Sequence, residues 1–380
     1  MRSLIFLFLA LTLSSCFNKN NSVPTTDDLP TVPGNILDDD ALGTVNIQVT
    51  GTPEAQAAFE RGLLLLHSFE YDDARAAFQE AQEADSTMAM AYWGEAMTHN
   101  HPLWRQQEPE EARTALARLA PSAEERRTMA KTPLERDFLT AVDRLFAEEG
   151  TKQERDQAYS AYLAKMKEKY PDQQEVAAFY ALSVLGAVPV GRDAEAYEKA
   201  SRVAQGVMAE NPKHPGALHY IIHAYDDPSH APKAIPAANS YAKVAPAAAH
   251  ALHMPSHIYV SMGMWDEVIQ SNIASWDASV ERMKRKDLDD NARSYHALHW
   301  LMYGLTQQGR YEEAAKIMKD FKTYTAKEPS RAARSYMVTI LANYLVETED
   351  WDNEEVWAIA GEREDLNILT RGIYHFAEGW

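Results

Sequence analysis

Through most of the chain, apolar residues recur at helical spacing, in pairs of segments separated by short turns. In residues 57–84 this pattern is interrupted once, near residues 69–72, which predicts two helices joined by a tight turn. Gly62 and Ala74 fall where small side chains would let the two helices approach closely. The same pattern returns at 262–268 and at 308–314. The chain is therefore predicted to be all-α, with one candidate short strand at 45–49.

Further helical segments fill the chain between these pairs, and capping residues or prolines mark their ends. We expect them near 87–101, 108–119, 133–148, 152–169, 173–186, 193–210, 215–226, 232–244, 247–262, 265–285, 290–308, 310–324, 330–347 and 354–360. Pro255 lies inside one of these segments and removes a backbone hydrogen bond, so we expect a kink there.

The offsets of five residues resemble the tetratricopeptide repeat, a helix–turn–helix unit of about 34 residues. They are Gly62, Tyr71, Ala74, Phe78 and Ala81. The resemblance implies a right-handed α-solenoid over 51–380, clearest before residue 325, with a concave groove that binds a protein or peptide. Residues 374–380 look like the first half of a repeat without its second helix. This end is therefore either a terminal cap or an incomplete repeat.

A narrower likeness rests on short motifs. Phe59–Leu63, Leu66–Phe69, Ala91–Gly94, His101–Trp104 and Leu252–Ile258 resemble an uncharacterised bacterial group of tetratricopeptide-repeat proteins. The segments around His253 and His299 are distantly similar to the tetratricopeptide repeat protein 38 family. Neither resemblance implies a particular reaction.

The first sixteen residues resemble a bacterial lipoprotein signal peptide. A short positive start precedes an apolar run from Leu4 to Leu13, which is too short to span a bilayer as a helix. It ends in Leu13-Ser14-Ser15-Cys16, which resembles a lipobox and implies lipidation of Cys16, the one cysteine of the chain. Residues 17–50 are polar and predict a flexible tether. We therefore expect a lipid anchor in the cell envelope, on the outer membrane where the host has two membranes.

Histidines are concentrated in one part of the chain. Of the 13 histidines, nine lie between His214 and His299. At about 100° per residue, His250, His253 and His257 share one helix face, and apolar residues occupy the opposite face. Two more helices repeat the arrangement, so neighbouring helices could present imidazoles to one ion. The six predicted metal ligands are His219, His223, His253, His257, His296 and His299.

The remaining groove residues are predicted to surround this cluster. They are His67, His101, Trp104, Asp226, His250 and Tyr303. Asp226 could supply a carboxylate or orient an imidazole. Two functions fit: a groove that binds a ligand, a protein or peptide, or a transition metal, and a metal-dependent enzyme such as a hydrolase. Nitrogen ligands without thiolates suit zinc, copper or iron.

Composition and absent motifs exclude several classes of function. The net charge of −19 argues against nucleic acid as a partner, because its phosphates would be repelled. The sequence has no phosphate-binding glycine loop, no His-Glu-x-x-His and no Cys-x-x-Cys. A cysteine nucleophile in the folded domain is excluded, since Cys16 lies in the leader. No residue can be assigned a catalytic or organic-cofactor role from the sequence.

Overall fold

The computed structural model describes residues 39–324, 328–357 and 363–379. Within them the α-helices run, in order, α1 Pro53–His67, α2 Tyr71–Ala84, α3 Ala89–Met97, α4 Pro109–Leu119, α5 Ala123–Met129, α6 Pro133–Leu145, α7 Lys152–Lys169, α8 Gln174–Gly186, α9 Ala194–Glu210, α10 Pro215–Ala224, α11 Ala231–Val244, α12 Ala249–His253, α13 Pro255–Ser261, α14 Trp265–Arg285, α15 Tyr295–Gln307, α16 Tyr311–Tyr324, α17 Arg331–Thr348, α18 Glu354–Trp357 and α19 Ile368–Glu378. Consecutive helices pack on one another, which confirms the all-α solenoid of helix pairs.

The first pairs show why the small residues stand where they do. Phe78 on α2 is fully buried between α1 and α3. A methyl group on Gly62 would lie 2.8 Å from the Phe78 ring, and one on Gly94 would overlap the same ring. The two glycines therefore let three helices close on a single aromatic side chain.

Several elements differ from the expected pattern. The helix expected at 87–101 ends at Met97, and a short hairpin follows, in which β1 (Asn100–His101) pairs with β2 (Gln106–Gln107). A 3-10 turn at Pro102–Trp104 joins the two strands. The sequence prediction also missed α5, whose capping box is formed by Ser122 and Glu125.

The expected kink at Pro255 is present. Helix α12 ends at His253 and α13 begins at Pro255, because the proline has no N–H to continue the hydrogen-bond ladder. The break separates His250 from His257, which the sequence had placed on one face of a continuous helix.

Part of the predicted tether packs against the solenoid instead. Leu42 is buried, and Thr44 N donates to Lys213 O at 2.9 Å. Val45, Ile47 and Val49 pack on the main core, but residues 45–49 form no strand. The apolar alternation of this segment therefore reflects contact with the solenoid surface. The predicted signal peptide with Cys16, and residues 17–38, lie outside the described residues.

The array closes on itself around the turn between α1 and α2. Glu70 Oε1 accepts the backbone N–H of His250 at 2.9 Å, and Tyr241 Oη donates to Ser68 Oγ at 3.3 Å. Arg282 on α14 forms two hydrogen bonds with Asp73 on α2, at 2.7 and 2.9 Å. The first helix pair therefore covers α10 and α12, where the histidines are concentrated. In the described part of the chain, no helix is long and apolar enough to cross a membrane.

Candidate metal centre

Two helices build a first triad of histidines. His219 and His223 lie one turn apart on α10, and His250 reaches them from α12. The Nε2 atom of His219 lies 3.0 Å from His223 Nε2 and 3.2 Å from His250 Nε2. We call His219, His223 and His250 the first triad.

Three helices, one of them again α12, build a second triad. His253 ends α12, His257 lies in the first turn of α13, and His296 reaches them from α15. The Nε2 atoms of His253 and His257 are 3.1 Å apart, and the ring centroids of His253 and His296 are 4.3 Å apart. One ligand atom from each residue lies within 4.8 Å of the others, as in the first triad. We call His253, His257 and His296 the second triad.

Hydrogen bonds at the far side of three rings fix their tautomers. His219 Nδ1 donates to the carbonyl oxygen of His67 at 2.7 Å, and a carbonyl can only accept. His257 Nδ1 donates to Asp226 Oδ2 at 2.8 Å. His253 Nδ1 donates to Asn272 Oδ1 at 2.6 Å, and the Asn272 amide is oriented by its own donation to Val268 O. In the neutral form of each ring, Nε2 therefore carries a lone pair and no proton.

Two of these lone pairs, on His253 and His257, face each other. His253 Nε2 and His257 Nε2 are both bare in their neutral forms, so no hydrogen bond can join them across 3.1 Å. A proton or a metal ion between them would remove the repulsion. Metal–nitrogen bonds of about 2.0–2.1 Å place tetrahedral ligand atoms about 3.3–3.4 Å apart, close to the distances in both triads.

Burial favours the neutral form of five of the six imidazoles. It lowers the pKa of His219 and of His296 to about 3. It also lowers the pKa of His223, His250 and His253 well below 6.5, and repulsion between neighbouring imidazolium charges acts in the same direction. Because ligation needs a neutral imidazole, the triads are chemically ready for a metal ion at neutral pH.

A third group, His67, Glu175 and His214, also brings three potential ligands together but has its donors satisfied. His214 Nδ1 accepts the backbone N–H of Ala217, so its Nε2 donates to Glu175 Oε1 at 3.0 Å. His67 Nε2 donates to Glu175 Oε2 at 2.7 Å, and its Nδ1 accepts from Tyr220 Oη at 2.8 Å. Burial raises the pKa of Glu175, but the charges and N–H groups of His214 and His67 outweigh it and hold that pKa well below 4.5. This group is a hydrogen-bonded core network.

The two triads adjoin each other. The ring centroids of His250 and His253 are 6.2 Å apart, and so are those of His223 and His257. A cavity of about 330 Å³ is lined by His250 from the first triad and by His253 and His296 from the second. Trp104 borders this cavity and also a second one, of about 200 Å³, that reaches His223 and Asp226.

Several predicted residues lie outside the triads. His299 approaches Asn343, with 3.5 Å between His299 Nε2 and Asn343 Nδ2. Tyr303 packs edge-on against Trp265 at 5.7 Å, and His101 stacks on Tyr71 at 4.0 Å. His67 is fully buried in the network with Glu175, so the prediction that it lines an open groove is wrong.

His250, predicted as a groove residue, belongs instead to the first triad.

Three residues that the sequence did not single out as part of the site also contact the triads: Phe69, Asn272 and Trp300. Phe69 packs against His219 at 4.3 Å and against His250 at 5.6 Å, and its φ of 57° is unusual for a residue other than glycine. Asn272 orients His253, and Trp300 lies 4.4 Å from the ring of His257. The sequence gives no signal for these contacts, because each one joins residues from separate elements of the fold.

Comparisons with known proteins assign no function to the site. No protein-family model matches the chain, and no curated protein matches its sequence. Among solved structures, the tetratricopeptide-repeat domain of P58(IPK) aligns over 86% of this chain and 97% of its own, at 14% identity and a TM-score of 0.25. At that score the likeness adds no argument about function. The narrower resemblances seen in the sequence stay predictions.

Proposed function

We propose that this helical-repeat protein binds transition-metal ions through its two histidine triads. The observation that carries the proposal is the pair of facing, bare Nε2 atoms of His253 and His257 in the second triad, together with the bare Nε2 of His219 in the first. All three rings are already fixed by Nδ1 hydrogen bonds. Such second contacts orient metal-ligating histidines and increase their basicity. Nitrogen-only ligands suit zinc, copper or iron.

The proposal modifies the sequence prediction in two respects. His250 replaces His299 among the six ligands, because His250 is within 3.2 Å of His219 while His299 lies near Asn343. The sequence led us to expect one ion per chain, whereas two triads offer two places.

Calorimetric titration of the metal-free protein with zinc at pH 7.5 tests the proposal. We expect saturable binding by the wild type and loss of one site in the double variant His253→Gln, His257→Gln. The matched control replaces His230 and His375, which lie outside the triads and are hydrogen-bonded to Asp227 and Glu378. Removing the same number of imidazoles there should leave zinc binding unchanged.

Circular dichroism separates loss of ligands from loss of fold. If the triad variant keeps its helicity and still binds zinc as the wild type does, the triads are not the metal site. Equal loss in the control variant would point to nonspecific binding by surface imidazoles.

Metal-dependent hydrolysis is a second candidate, favoured by the cavity beside the triads. Three imidazoles leave one coordination position for water, and zinc lowers the pKa of such a water to about 7. The cavity of about 330 Å³ could admit a small substrate to that position. The zinc-loaded protein should then hydrolyse a nitrophenyl ester faster than the His253→Gln, His257→Gln variant. Equal rates would reject this candidate.

Location and partners are proposed from the sequence. We propose that lipidated Cys16 holds the domain in the cell envelope and that a protein or peptide partner contacts the solenoid near Trp104, which is 49% exposed. Mass spectrometry of the mature chain should find acyl groups on Cys16, and an unmodified Cys16 would exclude the anchor.

Pull-down with wild-type and Trp104→Ala protein tests the partner surface. If both proteins capture the same partners, the surface near Trp104 is not the binding site.

A further inference from the structure

One cavity contacts both triads. Its lining includes His250 of the first triad, and His253 and His296 of the second. Trp104, Tyr336 and Ser294 form part of the remaining wall, together with the charged residues Glu70 and Arg282. A small molecule in this cavity would therefore lie beside the ions of both triads. Two metal sites that act independently would not need a shared cavity.

The six imidazoles provide no negative charge. Asp226 contacts the outer nitrogen of His257, and Glu70 accepts the backbone N–H of His250 at 2.9 Å. Neither carboxylate is among the converging ligand atoms of the triads. The one carboxylate in the wall of the shared cavity, Glu70, is accompanied there by the positive charge of Arg282. Two adjacent ions in this buried site would therefore repel each other with no carboxylate among their ligands.

This electrostatic environment favours monovalent ions. Repulsion between two divalent ions is about four times that between two monovalent ions at the same distance, because it scales with the product of the charges. Copper(I) is a monovalent first-row ion that proteins bind. Sulfur ligands select it most strongly, but imidazole also suits copper, so two triads of imidazoles can hold it. Three-coordinate nitrogen ligation also leaves room for a further ligand on each ion.

We propose that the two triads form a single dinuclear copper(I) centre that binds dioxygen in the shared cavity. The inference rests on the proposed metal binding and adds the identity, number and joint action of the ions. Each copper(I) gives up one electron and becomes copper(II). Dioxygen accepts both electrons and is held between the ions as peroxide, whose two negative charges offset the two added positive charges. No further reductant or proton is needed for this step.

Anaerobic titration with copper(I), in competition with bathocuproine disulfonate, measures the number of ions. We expect two tightly held copper ions in the wild type. One should remain in His219→Gln, His223→Gln and one in His253→Gln, His257→Gln. The control His230→Gln, His375→Gln should hold two. Circular dichroism establishes that each variant is folded.

Admission of oxygen then tests whether the ions act together. The wild type should develop intense near-ultraviolet absorption from peroxide-to-copper(II) charge transfer, and each double triad variant should lack it because one ion supplies a single electron. A wild type that binds two copper ions without this oxygen-dependent band overturns the oxygen proposal.

Other results separate this inference from the proposed function. Tight zinc binding at the triads with no competitive copper(I) binding overturns the dicopper centre and leaves metal binding intact. A band of equal strength in the double triad variants also overturns it, since the ions would then act singly. If both triad variants still bind zinc and copper as the wild type does, the proposed function itself is rejected.

Discussion

At the scale of single residues, the direction of hydrogen bonds distinguishes the triads from the core network. His253 and His257 both commit Nδ1 as donor, which leaves two facing lone pairs on Nε2. In the network around Glu175, His67 and His214 instead direct an N–H toward a carboxylate. The sequence predicts the pairs at i and i+4, but it does not predict the acceptor behind each ring. Asn272, for example, lies on α14, a helix that meets α12 only in the folded protein.

Asn272 should control metal affinity without being a ligand. Replacing it by Leu removes the acceptor that holds His253 in the required tautomer, so metal affinity should fall about 10–100-fold. Asn343→Leu is the matched control, because Asn343 contacts His299 outside both triads. Competition with a coloured chelator measures both affinities. Equal losses in the two variants would contradict the role assigned to Asn272.

At the scale of helices, much of the fold follows from local sequence. The turn after α1, the pairing of α1 with α2 and the break at Pro255 were predicted from spacing and backbone chemistry. The hairpin β1–β2 was not, because each of its strands has only two residues, too few to show an alternating pattern. That hairpin places Trp104 against Phe69 and beside His250.

The surroundings of two helical glycines predict opposite effects of substitution by alanine: Gly94 in α3 is crowded, and Gly206 in α9 is open. Gly94→Ala would place a methyl group against the buried ring of Phe78, and should destabilise the protein by about 1–3 kcal/mol. Gly206→Ala, inside α9, meets no atom within 4 Å and should stabilise it by about 0.5–1 kcal/mol through helix propensity. Urea denaturation measures both. A neutral Gly94→Ala would mean that Phe78 can move aside.

At the scale of the whole molecule, closure of the solenoid determines whether the histidines are buried or exposed. An open array would leave the faces of α10 and α12 along a groove, as the resemblance implied. Here the turn at Ser68–Glu70 covers them, and His219 is fully buried. The contacts that close the array join residues 152–213 positions apart, such as His219 with His67 and Lys286 with Asp73. Local periodicity carries no information about such pairings, so the buried cluster was predicted as an open surface.

Asp73 tests this closure. It receives two hydrogen bonds from Arg282 and one from Lys286, and its side chain is 14% exposed. Burial raises the pKa of Asp73, but the hydrogen bonds and charges of Arg282 and Lys286 outweigh it and hold the pKa below 3.8. The ion pair therefore stabilises the fold fully above about pH 3.8, and this contribution disappears as the pH falls through the lower folded-state pKa.

Asp73→Asn should thus cost about 1–3 kcal/mol of unfolding free energy at pH 7, and the difference from wild type should shrink below about pH 3.8. Asp72→Asn is the control: Asp72 is 79% exposed and pairs only locally with Arg75, so the variant should differ from wild type by less than about 0.5 kcal/mol. Because the α1–α2 turn shields His250, Asp73→Asn should also release bound metal to a chelator faster than Asp72→Asn does. Denaturation across the pH range and stopped-flow chelation measure the two effects. Equal release rates with unequal stabilities would mean that the ion pair stabilises the solenoid without closing it over the triads.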